Sequence, residues 1–227
     1  MFEINVKKFC WIENDGEDDP QDLCLHGCVE VKIGDRIFED SCTVSATGLY
    51  LLRSLKEDHI ISGYYLMLPC CAFDYLANED LTEVNIWGGC PFGTDWSIVH
   101  DGDTVKLVLE DGYEDIVPFD AYKKEVYRFA DTVKAYYLSC NPKIVAGDDI
   151  RGYAAFWNEW SLLRYNKSIF DDELLGKEYE SMVTEKTEQI SVSQEPVQIT
   201  VSQKPSGRYV FSKIKNGIDM WTRCFKF

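Results

Sequence analysis

The chain has 227 residues, 45% of them apolar and 14% aromatic, with a formal net charge of −16 at pH 7. That is enough apolar material for a packed core in one large domain, or one domain with an appendage, and it excludes a largely disordered chain. No apolar run reaches the roughly 18 residues that a membrane-spanning helix needs, and the acidity disfavours nucleic acid and anionic lipid as partners while favouring a basic protein.

The charge is unevenly placed. Of 23 basic and 39 acidic residues, six basic (Lys204, Arg208, Lys213, Lys215, Arg223, Lys226) and one acidic (Asp219) fall in residues 204–227, which leaves 17 basic and 38 acidic before them. Met1-Phe2-Glu3-Ile4-Asn5 has neither the charged start nor the apolar stretch of a signal peptide, so a cytoplasmic location is expected. The nine cysteines sit among apolar and aromatic neighbours, as in Cys70-Cys71, and read as mostly buried free thiols acting as small apolar groups.

In chain order, Phe2, Ile4 and Val6 alternate with polar residues and predict a half-buried first strand running on towards Trp11. Residues 13–22 then hold six carboxylates in ten positions, a density that predicts a solvated loop. Alternation resumes from Leu23 to Ile33, and the turn Gly34-Asp35 leads into a short strand over 36–39. Leu49, Leu52 and Leu55 predict a short amphipathic helix ending near residues 56–58. Residues 60–68 read as a strand stopped by Pro69, and Val84-Asn85-Ile86-Trp87 as another, broken by Gly88-Gly89. Residues 94–100 and 104–110 flank Asp101-Gly102-Asp103, a hairpin signal in the middle of a β-meander.

Two longer helices follow. Asp120 can cap one whose apolar positions Tyr122, Val126, Phe129 and Val133 step by three and four until Asn141-Pro142. Asp148-Asp149 can start the other, with Tyr153, Phe156, Trp157, Trp160 and Leu163 on one face, a stripe that reads as core more than as a recognition surface. Residues 171–182 read as an acidic helix. Gln189-Ile190-Ser191-Val192-Ser193-Gln194-Glu195-Pro196 is nearly repeated as Gln198-Ile199-Thr200-Val201-Ser202-Gln203-Lys204-Pro205, two extended segments bounded by proline. Asn216-Gly217 predicts a type I′ hairpin joining 208–215 to 218–227, expected to dock electrostatically on its own acidic domain. Strands grouped ahead of helices argue for α+β, with a mainly antiparallel sheet covered by helices. The domains expected are an α+β main domain over 1–168, an acidic helix and linker over 169–205, and a basic hairpin over 206–227.

Chemical motifs are few. Cys24, His26 and Cys28 form a soft ligand set that suits zinc, but in a regular strand the two cysteines would be about 13 Å apart, against the ~4 Å that thiolates on one zinc require. An ordinary sheet face is the expectation, with no metal and no cofactor. A cysteine nucleophile paired with His59 or His100 stays open, and Asp15, Glu17, Asp18 and Asp19 lack the spacing of a helix–loop–helix calcium site. No phosphate-binding, dinucleotide or nucleophile-elbow motif is present in the sequence.

The segments Glu39-Asp40-Ser41-Cys42-Thr43-Val44-Ser45-Ala46-Thr47-Gly48-Leu49-Tyr50-Leu51-Leu52-Arg53-Ser54-Leu55, Met67-Leu68-Pro69-Cys70-Cys71, Gly89-Cys90-Pro91-Phe92-Gly93-Thr94-Asp95-Trp96-Ser97-Ile98-Val99-His100, and Arg151-Gly152-Tyr153 to Glu159-Trp160 resemble a group of uncharacterised acidic bacterial cytoplasmic proteins. The resemblance spans about residues 1–165 and implies no activity. In size, acidity and α+β build the chain is also similar in kind to immunity proteins that neutralise polymorphic toxins. The expectation is therefore a non-enzymatic protein that binds a basic protein partner, such as a toxin, with Asp15, Glu17, Asp18, Asp19 and Asp22 as the contact loop. The alternatives are a DNA-mimicking inhibitor, which would compete with DNA, and a cysteine- or zinc-dependent enzyme, which would show a bound metal or a fast-reacting thiol. An interaction module pairing through its terminal hairpin is a further one.

Overall fold

A computed structural model describes residues 1–12, 17–61, 65–72, 74–88, 91–185, 202–203 and 209–210. The chain divides into two compact units, Met1–Glu188 and Gln189–Phe227. The first therefore runs beyond residue 168, taking in the acidic helix that the sequence assigns to a linker.

The fold is α+β. Strands β1 (Phe2–Cys10), β2 (His26–Ile33) and β3 (Arg36–Thr43) form an antiparallel sheet in that order, and α1 (Val44–Arg53) follows directly. Short strands β4 (Leu68–Pro69) and β7 (Gly93–Thr94) pair with each other, as do β5 (Asp74–Ala77) and β6 (Val84–Trp87). The meander β8 (Trp96–Asp101), β9 (Thr104–Leu109) and β10 (Glu114–Pro118) makes a second three-stranded sheet. Helix α2 (Phe119–Ser139), strand β11 (Lys143–Val145), helices α3 (Asp149–Tyr165) and α4 (Glu173–Met182) and strand β12 (Val183–Glu185) complete the unit. β11 pairs with β12 in parallel, and the other described strand pairs are antiparallel. In the second unit, β13 (Ser202–Gln203) pairs antiparallel with β14 (Tyr209–Val210). The expected hairpin at Asn216-Gly217 lies outside the described residues, as does most of the proline-bounded repeat.

Most elements follow from local pattern. Asp101 pairs with Thr104, so the β8–β9 loop is Gly102-Asp103, with Gly102 at φ +61° supplying the left-handed backbone that a two-residue hairpin needs. Helix α2 buries Tyr122, Val126, Phe129, Ala130, Val133, Lys134 and Tyr137 on one stripe. The Asp172 carboxylate caps α4, accepting from the Leu174 and Leu175 amides at 3.1 and 3.2 Å.

Helix α1 departs from the amphipathic expectation, because every residue from 44 to 52 is buried. It is the hub of the unit, packing on α2 and α3 and along β2 and β4. Its small residues Ser45, Ala46, Thr47 and Gly48 let neighbours approach closely, and each buried leucine contributes about 1.5–3 kcal/mol. Residues 60–68 also differ: among those described, only Leu68 joins a strand, and His59 instead bridges to Ile98. Trp96, fully buried, stands 6.4 Å from the Phe2 ring and 6.0 Å from Phe38, joining the two three-stranded sheets. The Tyr137 and Trp157 rings meet edge to face at 5.0 Å and join α2 to α3. No described helix is long and apolar enough to cross a membrane.

Two helical glycines permit close approaches. A Cβ on Gly48 would lie 2.4 Å from the Trp160 ring, and one on Gly152 would lie 2.1 Å from the Tyr75 carbonyl oxygen. A ring can tilt, whereas a strand carbonyl moves only with its backbone. Gly152→Ala should therefore lower unfolding stability by about 1–3 kcal/mol in urea titration, and by more than Gly48→Ala. An unchanged midpoint for Gly152→Ala would show that α3 and β5 do not pack this closely.

Candidate functional site

The acidic loop is less free than its composition implies. Glu17 is exposed, but Asp18, Asp19 and Asp22 are partly or wholly enclosed, and Asp15 lies outside the described residues. The Asp22 carboxylate accepts the Ile12 amide at 2.9 Å and the Cys24 amide at 3.0 Å, closing the loop between β1 and β2. Asp18 accepts from Lys143 Nζ at 2.6 Å and from the Asn141 backbone and side-chain amides at 2.6 and 2.9 Å. Lys143 is 1% exposed; its ammonium also donates to the Asp19 carbonyl at 2.9 Å and sits 3.3 Å from the Trp11 ring centroid. A carboxylate, a carbonyl and a π-face thus compensate one buried cation. Partial burial acts to raise the Asp18 carboxyl, but the hydrogen bonds from Lys143 and Asn141 outweigh it and hold the group below its ordinary 3.8. Two of the expected contact residues, Asp18 and Asp22, therefore hold the fold together.

Cys24, His26 and Cys28 are not brought together as a ligand set. The Cys24 thiol is buried against the Tyr75 hydroxyl at 3.5 Å, and burial pushes it up to about 12. His26 donates from Nδ1 to the Cys24 carbonyl at 2.8 Å and has the Thr43 hydroxyl 3.0 Å from Nε2, so both ring nitrogens are occupied. Burial keeps this ring neutral, its pKa lowered from 6.5. Cys28, one register step along the same strand face, is partly exposed. Among the described residues, no group of three or more His, Cys, Asp or Glu side chains is placed to hold a metal ion.

The two other histidines are also paired. His59 donates from Nε2 to Asp95 at 2.8 Å, and His100 donates to the Ser54 carbonyl at 2.8 Å; neither interaction presents a cysteine with a base. Arg53 makes a two-pronged pair with Glu159 at 2.7 and 2.8 Å. Cys42, beside Thr47, is pushed by burial to about 12, which leaves it a protonated and poor nucleophile. A shallow hollow of about 510 Å³ is lined by Lys123, Lys124, Tyr127, Arg128 and Arg164 with Asp120 and Asp131. Its arginines are already engaged, Arg128 by Glu125 and Arg164 by Asp131, so it lacks a strong excess of cation.

The surface offers what the interior does not. Exposed carboxylates stand at the turns: Asp35 between β2 and β3, Asp101 and Asp103 around the β8–β9 turn, and Glu110, Asp111 and Glu114 around the β9–β10 turn. Hairpin β5–β6 turns Leu76 and Trp87 outward, at 61% and 63% exposure. That hairpin is missed by sequence reasoning because β5 is four residues long, although the alternation of Val84 and Ile86 with Asn85 and Trp87 marks β6 as one-sided. No family model, curated protein or solved structure matches the chain.

Two measurements check this geometry. Iodoacetamide labelling near pH 8 should spare Cys24 and Cys42 in the folded protein and reach both after unfolding; rapid native labelling of either would contradict their burial. Because the folded-state value of His26 is lowered, the unfolded chain binds its proton first. The neutral ring's full stabilisation is therefore present above about pH 6.5 and declines as pH falls towards the folded-state value. The urea midpoint should drop between about pH 7 and pH 5, and less so in His26→Gln, whose amide keeps one donor and one acceptor.

Proposed function

We propose that this chain is a protein-binding protein that meets a basic partner through its acidic surface, its specific role being that of an immunity protein neutralising a basic toxin. The observation that carries the reading is the charge distribution: residues 1–203 hold 38 acidic against 17 basic groups. Two features agree with it. The described charged groups of the interior are engaged in holding the fold, and among the exposed turn carboxylates Asp35, Asp101, Asp103 and Glu110 remain available, whereas Asp111 and Glu114 pair with Arg36 and Lys106. Such a field raises the encounter rate with a cationic surface and is screened beyond about 10 Å at 0.1 M salt. Glu17 is the member of the acidic loop that keeps an exposed side chain among those described.

The test uses a basic protein from a neighbouring reading frame, since the reading expects an immunity protein to be encoded with its toxin. Stopped-flow association should slow by about tenfold or more between roughly 50 and 500 mM salt. Reversing Glu17, Asp103 and Glu110 together to lysine should slow it at low salt and weaken protection of growing cells. A rate indifferent to both changes would remove the acidic surface from the mechanism.

A further inference from the structure

Hairpin β5–β6 has two unlike faces. Tyr75, Val84 and Ile86 point inward, each below 9% exposure, and the hairpin packs on α3. Register sets Leu76 opposite Asn85 and Trp87 opposite Asp74, which makes the exposed Leu76 and Trp87 diagonal neighbours on the outer face. Beside them opens a hollow of about 110 Å³ lined by Tyr50, Arg53, Tyr65, Asn85, Ile86 and Trp87. The Arg53 charge there is already matched by Glu159, and the Tyr50 and Tyr65 rings lie 4.9 Å apart.

The rim of this face is acidic. Asp74, Glu79, Asp80 and Glu83 are all exposed, and residues 74–88 contain no lysine or arginine. The hairpin is also held in shape. Asn78 accepts the Thr82 and Glu83 amides at 2.9 and 3.3 Å to close its turn, Asn158 donates to the Leu81 carbonyl at 2.8 Å, and Glu159 accepts the Val84 amide at 2.8 Å. An exposed tryptophan on a pre-ordered surface, next to a hollow and surrounded by charge, is the arrangement by which interfaces concentrate binding energy.

We infer that the outer face of this hairpin is the docking site for a basic partner segment in which lysine or arginine residues flank one bulky apolar side chain. The apolar side chain packs on Trp87 and Leu76 at the mouth of the hollow, while the flanking cations pair with Asp74, Glu79, Asp80 and Glu83. Charge complementarity selects this occupant: the four carboxylates outnumber the nearby Arg151, whose guanidinium donates to the Asn78 and Glu79 carbonyls at 3.4 and 3.1 Å, so the rim repels nucleic acid and anionic lipid, and a purely apolar partner would leave it facing nothing. The inference rests on the binding-protein reading above and gives that reading a place.

The probe is a library of random displayed peptides selected against the intact chain. Enriched peptides should carry Lys or Arg on both sides of a large apolar residue, and synthetic copies should bind about tenfold or more weakly to Trp87→Ala and to Leu76→Ala. Binding to an Asp80→Lys, Glu83→Lys double variant should weaken at low salt. The side chains of all four are exposed, and an unchanged urea midpoint checks that each variant is folded. Basic peptides that bind Trp87→Ala as tightly as the parent would overturn the site and leave the acidic-surface reading standing. Selection that enriches no basic peptides would overturn both.

Discussion

One buried carboxylate ties three parts of this fold together. Glu159 on α3 receives the Arg53 guanidinium from the end of α1 and the Val84 amide from the start of β6, and Arg53 in turn donates to the Val84 carbonyl. Both backbone groups of Val84 are thereby satisfied by side chains from other elements, which suits a two-stranded hairpin that is otherwise marginal in water. Glu159 and Arg53 are each largely enclosed, so removing either would leave an uncompensated charge, a loss that commonly reaches about 3–5 kcal/mol. The position of the β5–β6 face depends on this triangle.

Lys143 is a second anchor of the same kind, at the opposite end of the acidic loop's contacts. It turns part of a negatively charged segment inward, where Asp18 and Asp22 organise the chain between β1 and β2. The consequence is a division among the acidic groups. Those that meet a buried cation or a backbone amide have a structural role, and Asp35, Asp101, Asp103 and Glu110 at hairpin turns keep their charge for solvent or a partner. Among the described residues, exposed acidity lies at Glu17, at the turns and along β5–β6 rather than at Asp18 and Asp22.

Several elements were legible from residue order. The period-two pattern from Phe2, the Asp101-Gly102-Asp103 turn and the three-and-four spacing of Tyr122, Val126, Phe129 and Val133 all act within a few residues, so local pattern suffices to find them. Helix α1 was legible as a helix but not as the hub, because its small residues become an interface only when Trp160 arrives from more than a hundred positions away. The zinc-like trio was discounted on strand spacing, and the separation of Cys24 from Cys28 has another origin: Cys24 precedes β2 and turns towards Tyr75.

By itself the sequence determined the α+β class, the helix and hairpin positions set by periodicity and turn chemistry, and the excess of negative charge, since composition and short-range spacing encode all three. Tertiary structure decided which charges are available. Asp18 and Lys143 are 125 residues apart in the chain, and Arg53 and Glu159 are 106 apart. No local pattern distinguishes a carboxylate that will meet such a partner from one that will face water, because burial and pairing arise only when distant elements pack. The same packing buries one side of β5–β6 and leaves Leu76 and Trp87 outside.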